Sequence, residues 1–278
     1  MPKGASSIAT TTAFGRVRDQ NKYDNLLSFA KHLPRIRSTV SGHLALRGLP
    51  REKVLATVVS LLETTLIRVG SDEYARTNKS YGLTTLTHRH VDVAGGAMRF
   101  NFKGKSGKIW RVKVQDRRIA KVVRACQELP GQELFQYVDE GGTVRDVTST
   151  DVNAYLREVG ALNVSTKDFR TWHGTVLAAV ALQATEKFDS ETAAKRNIRS
   201  AILSVASRLG NTPAVCRKCY IHPEIFAAYA ESALILKIEE ESDSELRPEE
   251  TAVLALLTKR LGTSLKDKLK ASVSQDAA

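Results

Sequence analysis

Cysteine is scarce in this sequence: its 278 residues include only Cys126, Cys216 and Cys219. An odd number of cysteines, with no secretory leader before them, leads us to expect a reducing, intracellular environment. A zinc site of four thiolates is excluded because the chain has too few cysteines, whereas a mixed site with His222 stays open. The pair of Cys216 and Cys219 lacks the thioredoxin-like βαβ surroundings that a redox pair needs. We therefore interpret both cysteines as packing residues.

Long apolar runs and acidic side chains are also in short supply. No apolar run approaches about 20 residues, so we expect no transmembrane span. The chain has 30 acidic residues against 42 lysines and arginines, which gives a formal net charge of +12. Such a charge favours long-range attraction to a polyanion, although an ordinary basic surface explains it equally well. With 42% hydrophobic residues, the chain can bury the core of one large or two ordinary domains.

The first half of the chain divides into a tail, helices and a small sheet. Residues 1–18 are small and polar, with little periodicity, and predict an irregular tail. A helical pattern starts at Asn21, and a second helix is predicted from Pro50 to Gly70. In GAMRFNFKG and KIWRVKV, apolar residues then alternate with basic and polar ones. With HRHVDV before them, these segments predict a three-stranded antiparallel sheet with one apolar and one basic face.

Beyond Asp116 the pattern is mostly helical. A helix is predicted over Ser190 to Leu209, ended by Gly210, and a further helix begins at Thr212 and Pro213, with Tyr220 about two turns into it. The acidic run at 239–250 predicts a solvated linker before the last helix. The fold class is therefore α+β: a mostly helical domain with a small three-stranded antiparallel sheet.

Five residues fall in ordered local motifs. Arg68 lies in LIRVGSDEY, Lys105 in FKGKSGK, Arg170 in TKDFRTWHGT, and Asn211 and Tyr220 in LGNTPAVCRKCY. Each has an ordinary explanation when taken alone, such as a helix-terminal cation, a hairpin lysine, a surface ion pair, a helix terminator or a core aromatic. As an ordered set they resemble the active site of type IB DNA topoisomerases, of the small poxvirus and bacterial kind. The resemblance runs from about residue 17 to about residue 229.

The resemblance implies a catalytic domain over 19–278 with the fold shared by tyrosine recombinases and type IB topoisomerases, whose first helices lie in 19–49. It also implies relaxation of supercoiled DNA through a 3′-phosphotyrosine, with Tyr220 as the nucleophile. Arg68 and Arg170 would stabilise the charge on the phosphate, and Lys105 would protonate the leaving 5′-oxygen. Neither a metal ion nor ATP is expected, and no other cofactor.

Asn211 departs from the commonest family pattern. Family members often carry a histidine nine residues before the tyrosine, where it donates a hydrogen bond to a non-bridging oxygen. An asparagine amide can donate that bond but carries no positive charge. We therefore expect Asn211 to take this role and activity to survive, at a lower rate.

Duplex DNA is the expected partner, bound by a monomer. Between Lys103 and Arg124 the sequence has nine lysines and arginines against one acid, Asp116, a density that suits a phosphate backbone. Tyr74 matches a family position that touches phosphate, and Lys167 precedes the motif of Arg170. The candidate DNA-binding residues are Tyr74, Lys103, Lys108, Arg111, Lys113 and Lys167.

Two other functions compete with this one. A tyrosine recombinase shares the order of catalytic residues, but its second arginine usually follows a histidine by three positions, where this chain has Lys167. A DNA-binding module without catalysis fits the charge but has no need of Tyr220 or Lys105. We also expect the family's amino-terminal clamp domain to be absent, which predicts distributive relaxation. The resemblance further implies a cytoplasmic, nucleoid-associated enzyme of bacterial or viral origin.

Overall fold

The computed structural model describes residues 6–161, 163–185, 187–238 and 245–275. The chain divides into two compact units. Unit 1 comprises the residues up to His32, Thr171–Val205 and the residues from Pro213 onward, and unit 2 comprises Leu33–Arg170 and Ala206–Thr212. The helices of the described residues are α1 (Ser6–Leu44), α2 (Arg51–Thr65), α3 (Asp72–Asn78), α4 (Arg117–Gln127), α5 (Ser149–Gly160), α6 (Thr166–Gln183), α7 (Glu191–Leu209), α8 (Pro213–Cys219), α9 (Pro223–Ala230) and α10 (Pro248–Gln275).

The first helix begins earlier than the sequence predicted. α1 starts at Ser6 and continues without interruption to Leu44, with Pro34 inside it. The prediction of an irregular tail is therefore wrong for residues 6–18, while residues 1–5 lie outside the described residues. Apolar periodicity, on which the prediction rested, is weak in this stretch, and a helix can form without it when its residues tolerate helical backbone angles.

Helix α2 is the centre of unit 2. Nine of its 15 residues are buried, including Leu55, Val58 and Leu62, and it contacts α4, α5 and a short strand described below. It ends at Thr65 rather than at Gly70, because Leu66 adopts a left-handed conformation (φ 59°) and its N–H closes the last turn on the oxygen of Leu62. The segment that contains Arg68 therefore follows the helix instead of belonging to it.

The three-stranded antiparallel sheet is confirmed. It consists of β1 (Val91–Ala94), β2 (Ala97–Lys103) and β3 (Ile109–Gln115) in the order β1-β2-β3. The apolar residues of β2, Met98, Phe100 and Phe102, are buried, and α4 packs against β1 and β2. The opposite face is exposed, because side chains alternate along a strand. Asp116 caps the amino-terminal end of α4, because its carboxylate accepts hydrogen bonds from two backbone N–H groups of the first turn.

Unit 2 also contains a second, two-stranded sheet that the sequence did not predict. Strands β4 (Gln136–Val138) and β5 (Val144–Asp146) pair antiparallel around the EGG turn. Strands of three residues are too short to show a clear alternation. Asp139 orders the turn by accepting hydrogen bonds from the N–H groups of Gly141 (3.1 Å) and Thr143 (2.8 Å).

Unit 1 is helical in its described part. Trp172, Leu182, Ile221 and Ile225 are among its buried side chains. The last helix, α10, begins at Pro248, so the end of the predicted acidic linker belongs to its first turn, while residues 239–244 lie outside the described residues. None of the helices in the described part of the chain is both long and apolar enough to cross a bilayer.

Candidate active site

The last turn of α7 organises the predicted site residues of unit 2. The helix stops in a Schellman motif, in which the N–H of Gly210 donates to the oxygen of Ser207 (3.3 Å) and the N–H of Asn211 to that of Ala206 (3.0 Å). Gly210 is the left-handed residue that this motif needs, with φ of 62°. The carbonyl oxygens of the last turn remain available to side chains from elsewhere in unit 2.

Three predicted cations donate hydrogen bonds to these carbonyl oxygens. Arg170, which is 3% exposed, donates to Leu209 (2.6 Å) and to the oxygen of Leu66 at the end of α2. Arg68 donates to Gly210 (3.2 Å) and Lys108 to Ser207 (3.1 Å). Because the carboxyl end of a helix carries partial negative charge, cations are stabilised there.

Asn211 lies beside Arg68, and a hydrogen bond between the two side chains orients the amide of Asn211. Its Oδ1 accepts a hydrogen bond from the Arg68 guanidinium, since the amide nitrogen cannot accept one. Its Nδ2 is buried and has no hydrogen-bond partner among the described residues. A buried donor without a partner is costly, so this amide is suited to an acceptor oxygen that a substrate would supply.

Lys105 occupies a cleft of about 320 Å³ at the turn between β2 and β3. Its Nζ lies 5.0 Å from the centre of the Tyr74 ring, which is half exposed. Lys103 and Ser106 line the same cleft, together with Asn78 and Ser80. Ammonium and hydroxyl donors of this kind suit a phosphate. The structure thus brings together three predicted residues, Tyr74, Lys103 and Lys105.

The remaining basic candidates lie on exposed surfaces of unit 2. On the solvent face of the sheet, Arg111 pairs across the strands with Asn101, and Lys113 pairs with Arg99. Lys167 is exposed in the first turn of α6. A sheet face with this density of positive charge suits a phosphate backbone.

Tyr220 belongs to unit 1 and is the first residue after α8. The sequence placed it about two turns into a helix, but that helix ends at Cys219, and the Tyr220 N–H still donates to the oxygen of Cys216 (2.9 Å). Its side chain is partly exposed, whereas Ile221 and His222 beside it are buried. Cys216 is buried and Cys219 is partly exposed.

Trp110 is a residue of this site that the sequence prediction missed. It stacks in parallel on Phe102, with ring centres 6.2 Å apart, and lies so close to Gly210 that a Cβ added there would come within 2.5 Å of the indole. The alternation of β3 predicted only that Trp110 is buried. Nothing in the sequence around Gly210 indicates which ring packs against it.

We expect Gly210→Ala to lower the free energy of unfolding by about 2–4 kcal/mol. The left-handed conformation costs an alanine about 1–2 kcal/mol, and the contact with Trp110 adds to that. Gly48→Ala is the matched control, because Gly48 has a similar φ of 68° but open space around a Cβ. Urea unfolding of both variants measures the difference. Equal losses would show that Trp110 does not constrain this turn.

Comparison with known proteins identifies a protein family whose model matches most of this chain. The family model for the catalytic core of eukaryotic DNA topoisomerase I matches residues 11–246. A protein of Acanthamoeba polyphaga mimivirus, described as DNA topoisomerase 1B, is 29% identical over 210 residues, which are 73% of this chain and 62% of the viral protein. The chain thus spans less than two thirds of that relative's length.

Among solved structures, the XerH site-specific recombinase in a pre-cleavage complex with its difH substrate matches 69% of this chain and 49% of that one. The TM-score is 0.39 and the sequence identity is 12%. A similarity this low does not bear on the fold or the function.

Proposed function

Because the chain belongs to the family of eukaryotic DNA topoisomerase I catalytic cores, we propose that it relaxes supercoiled duplex DNA by cutting one strand transiently and rejoining it. The observation that carries the proposal is the grouping of Arg68, Arg170 and Asn211 around the last turn of α7. All three side chains are donors of hydrogen bonds. A phosphodiester under attack needs such donors, because negative charge grows on its non-bridging oxygens in the transition state.

In the proposed reaction, the phenolic oxygen of Tyr220 attacks the phosphorus of one strand. The bond from phosphorus to the 5′-oxygen of the next nucleotide breaks, and a 3′-phosphotyrosyl ester forms. The phenol loses its proton and the leaving 5′-oxygen gains one. After the strand has rotated, the 5′-hydroxyl attacks the phosphotyrosyl ester and restores the strand. Because one phosphate diester replaces another, the reaction needs no ATP as a source of energy, and the side-chain donors are proposed to stabilise the charge for which other enzymes use a metal ion.

Lys105 is the proposed donor of the proton to the 5′-oxygen. The cleft that Lys105 shares with Tyr74 and Lys103 supports this role, because it collects donors that can bind a phosphate next to the scissile one. The exposed turn leaves the lysine room to approach the leaving group.

Duplex DNA is the proposed substrate, held through its phosphates by the basic side chains of unit 2. Arg111 and Lys113 would bind from the exposed face of the sheet, and Lys108 and Lys167 from the ends of neighbouring segments. We propose that one copy of the chain acts alone on the duplex. Because cations that bind phosphates release the counterions of the DNA, the affinity should fall steeply as salt is raised.

Relaxation of supercoiled plasmid in the presence of EDTA and without ATP tests this function. We expect both negatively and positively supercoiled plasmid to be relaxed through a ladder of topoisomers, because free rotation releases either sense of strain. The control is the same chain with Tyr220→Phe. Relaxation that requires ATP or a divalent metal, or that also occurs with the Tyr220→Phe control, would contradict the proposal.

A further inference from the structure

Two hydroxyl groups from distant parts of the sequence fasten the backbone on both sides of Tyr220. The first belongs to Tyr23 on α1. Its hydroxyl lies 3.1 Å from the carbonyl oxygen of Lys218 and 3.1 Å from that of Ile221. One hydroxyl proton shared between two acceptors is a three-centre hydrogen bond. The two acceptors flank Tyr220, so Tyr23 bridges the segment that carries it.

The second hydroxyl belongs to Thr175 on α6, which is completely buried. Its Oγ1 accepts a hydrogen bond from the N–H of His222 (3.0 Å) and donates one to the carbonyl oxygen of Thr171 (2.8 Å). The bond to Thr171 directs the hydroxyl proton away from His222, so that the oxygen is left to accept. Thr175 therefore fixes the backbone two residues after Tyr220.

Ring packing and the N-cap of α9 further stabilise the segment that these two hydroxyl groups hold. The rings of Tyr23 and His222 pack with their centres 4.7 Å apart. His222 in turn begins α9, because its Nδ1 accepts the N–H of Glu224 (3.1 Å). Ile221 and His222, which follow Tyr220, are buried, while the tyrosine side chain itself is partly exposed.

We propose that Tyr23 and Thr175 are positioning residues, which hold the backbone of residues 218–222 so that Tyr220 can attack a phosphate in line. The proposal rests on the proposed role of Tyr220 as nucleophile. Attack in line demands that the phenolic oxygen be placed within a fraction of an ångström, and such placement comes from supporting residues whose own positions are fixed. The helix α1 thereby takes part in the reaction without contributing a group to it.

Single-atom and isosteric substitutions separate positioning from folding. Tyr23→Phe removes the hydroxyl and keeps the ring that packs on His222. Thr175→Val removes the acceptor of the His222 N–H, and Thr175→Ser restores a hydroxyl at the same place. Tyr229→Phe is the matched control: it removes a buried hydroxyl of unit 1 that bonds to Thr185 and Asn197, both at 2.8 Å, away from the segment of Tyr220.

Two measurements are made on each full-length variant. The first is the rate constant for covalent adduct formation in a single turnover at saturating protein, with the Kd for the same duplex measured separately. We expect Tyr23→Phe and Thr175→Val to lower the rate constant roughly 10- to 100-fold, because small misplacements of a reacting group have effects of that size. The Kd should stay unchanged, Thr175→Ser should regain most of the rate, and Tyr229→Phe should react at the wild-type rate.

The second measurement is hydrogen exchange of the peptide spanning residues 216–224, without DNA. Exchange should accelerate in Tyr23→Phe and Thr175→Val, but not in Tyr229→Phe. A wild-type rate of adduct formation in Tyr23→Phe and Thr175→Val, or an equal loss in Tyr229→Phe at equal stability, would overturn the proposal. If the unaltered chain forms no adduct, the proposed function fails, and unchanged exchange in the two variants would then overturn the positioning role as well.

Discussion

Tyr220→Phe should abolish the covalent complex between the chain and cleaved DNA and leave the affinity for intact duplex nearly unchanged. Removal of the nucleophile from an enzyme that works through a covalent intermediate lowers the rate by roughly 10⁶-fold, which here means no detectable adduct. The substitution removes only the phenolic hydroxyl group. The partly exposed ring and the hydrogen bond from the backbone N–H to the oxygen of Cys216 can both remain, so the variant should fold and its affinity for intact duplex can be measured.

The measurement uses a duplex whose scissile strand ends a few nucleotides beyond the cut, so that the released fragment dissociates and the adduct accumulates. Denaturing gels quantify the adduct, and mass spectrometry identifies the residue that carries the DNA. Tyr137→Phe serves as the control, because Tyr137 is also a partly exposed tyrosine but lies on β4. An adduct in Tyr220→Phe would place the nucleophile at another residue, which the mass spectrum would identify.

Arg170→Lys should lower the rate of adduct formation by roughly 10²- to 10³-fold, the scale on which loss of one preorganised donor to the transition state acts. Arg170 is buried, and its guanidinium reaches the carbonyl oxygens of Leu66 and Leu209 together. A lysine keeps the charge but not the planar fork, so a single ammonium cannot reproduce both bonds and also meet a phosphate oxygen. We also expect the free energy of unfolding to fall by about 1–3 kcal/mol, because a buried carbonyl loses its partner.

Single-turnover cleavage at saturating protein and urea unfolding measure the two effects separately. The matched control is Arg37→Lys, which replaces another arginine of unit 2, one whose Nε and Nη2 both donate to Glu63, at 2.8 and 2.6 Å. That variant should lose stability and keep the rate of cleavage. If Arg170→Lys cleaves at the wild-type rate, Arg170 does not stabilise the transition state and its role is confined to packing.

The sheet could be predicted from the sequence because most residues of its two long strands alternate between apolar side chains and basic or polar ones, a pattern typical of a strand with one buried face. The residue at which α2 ends could not be predicted from the sequence. Gly70 looked like the terminator, whereas Leu66 takes the left-handed conformation four residues earlier. Gly70 instead allows two backbone segments to approach closely. Gly82 lies so near that a Cβ on Gly82 would come within 2.5 Å of the Gly70 Cα.

The candidate residues of the site could be predicted from the order of local motifs in the sequence. Their arrangement in space could not be predicted in this way. Arg68, Lys108 and Arg170 meet at backbone carbonyl oxygens of residues 207–210, and a carbonyl group is the same in every residue, so it leaves no mark in the sequence. The contacts of the Tyr23 and Thr175 hydroxyls could not be predicted from the sequence for a related reason. Each is an ordinary helical residue far along the chain from the backbone that it holds.

The oxygens at the end of α7 differ from carboxylates in one respect that matters for a polyanion. A carboxylate that orients an arginine also neutralises it and repels a neighbouring phosphate, whereas a carbonyl or amide oxygen orients the guanidinium and carries no net charge. The contacts from Ser207, Leu209, Gly210 and Asn211 therefore direct three cations without cancelling any of their formal charge. An incoming phosphate would meet side chains whose direction is set by contacts that take away none of their charge.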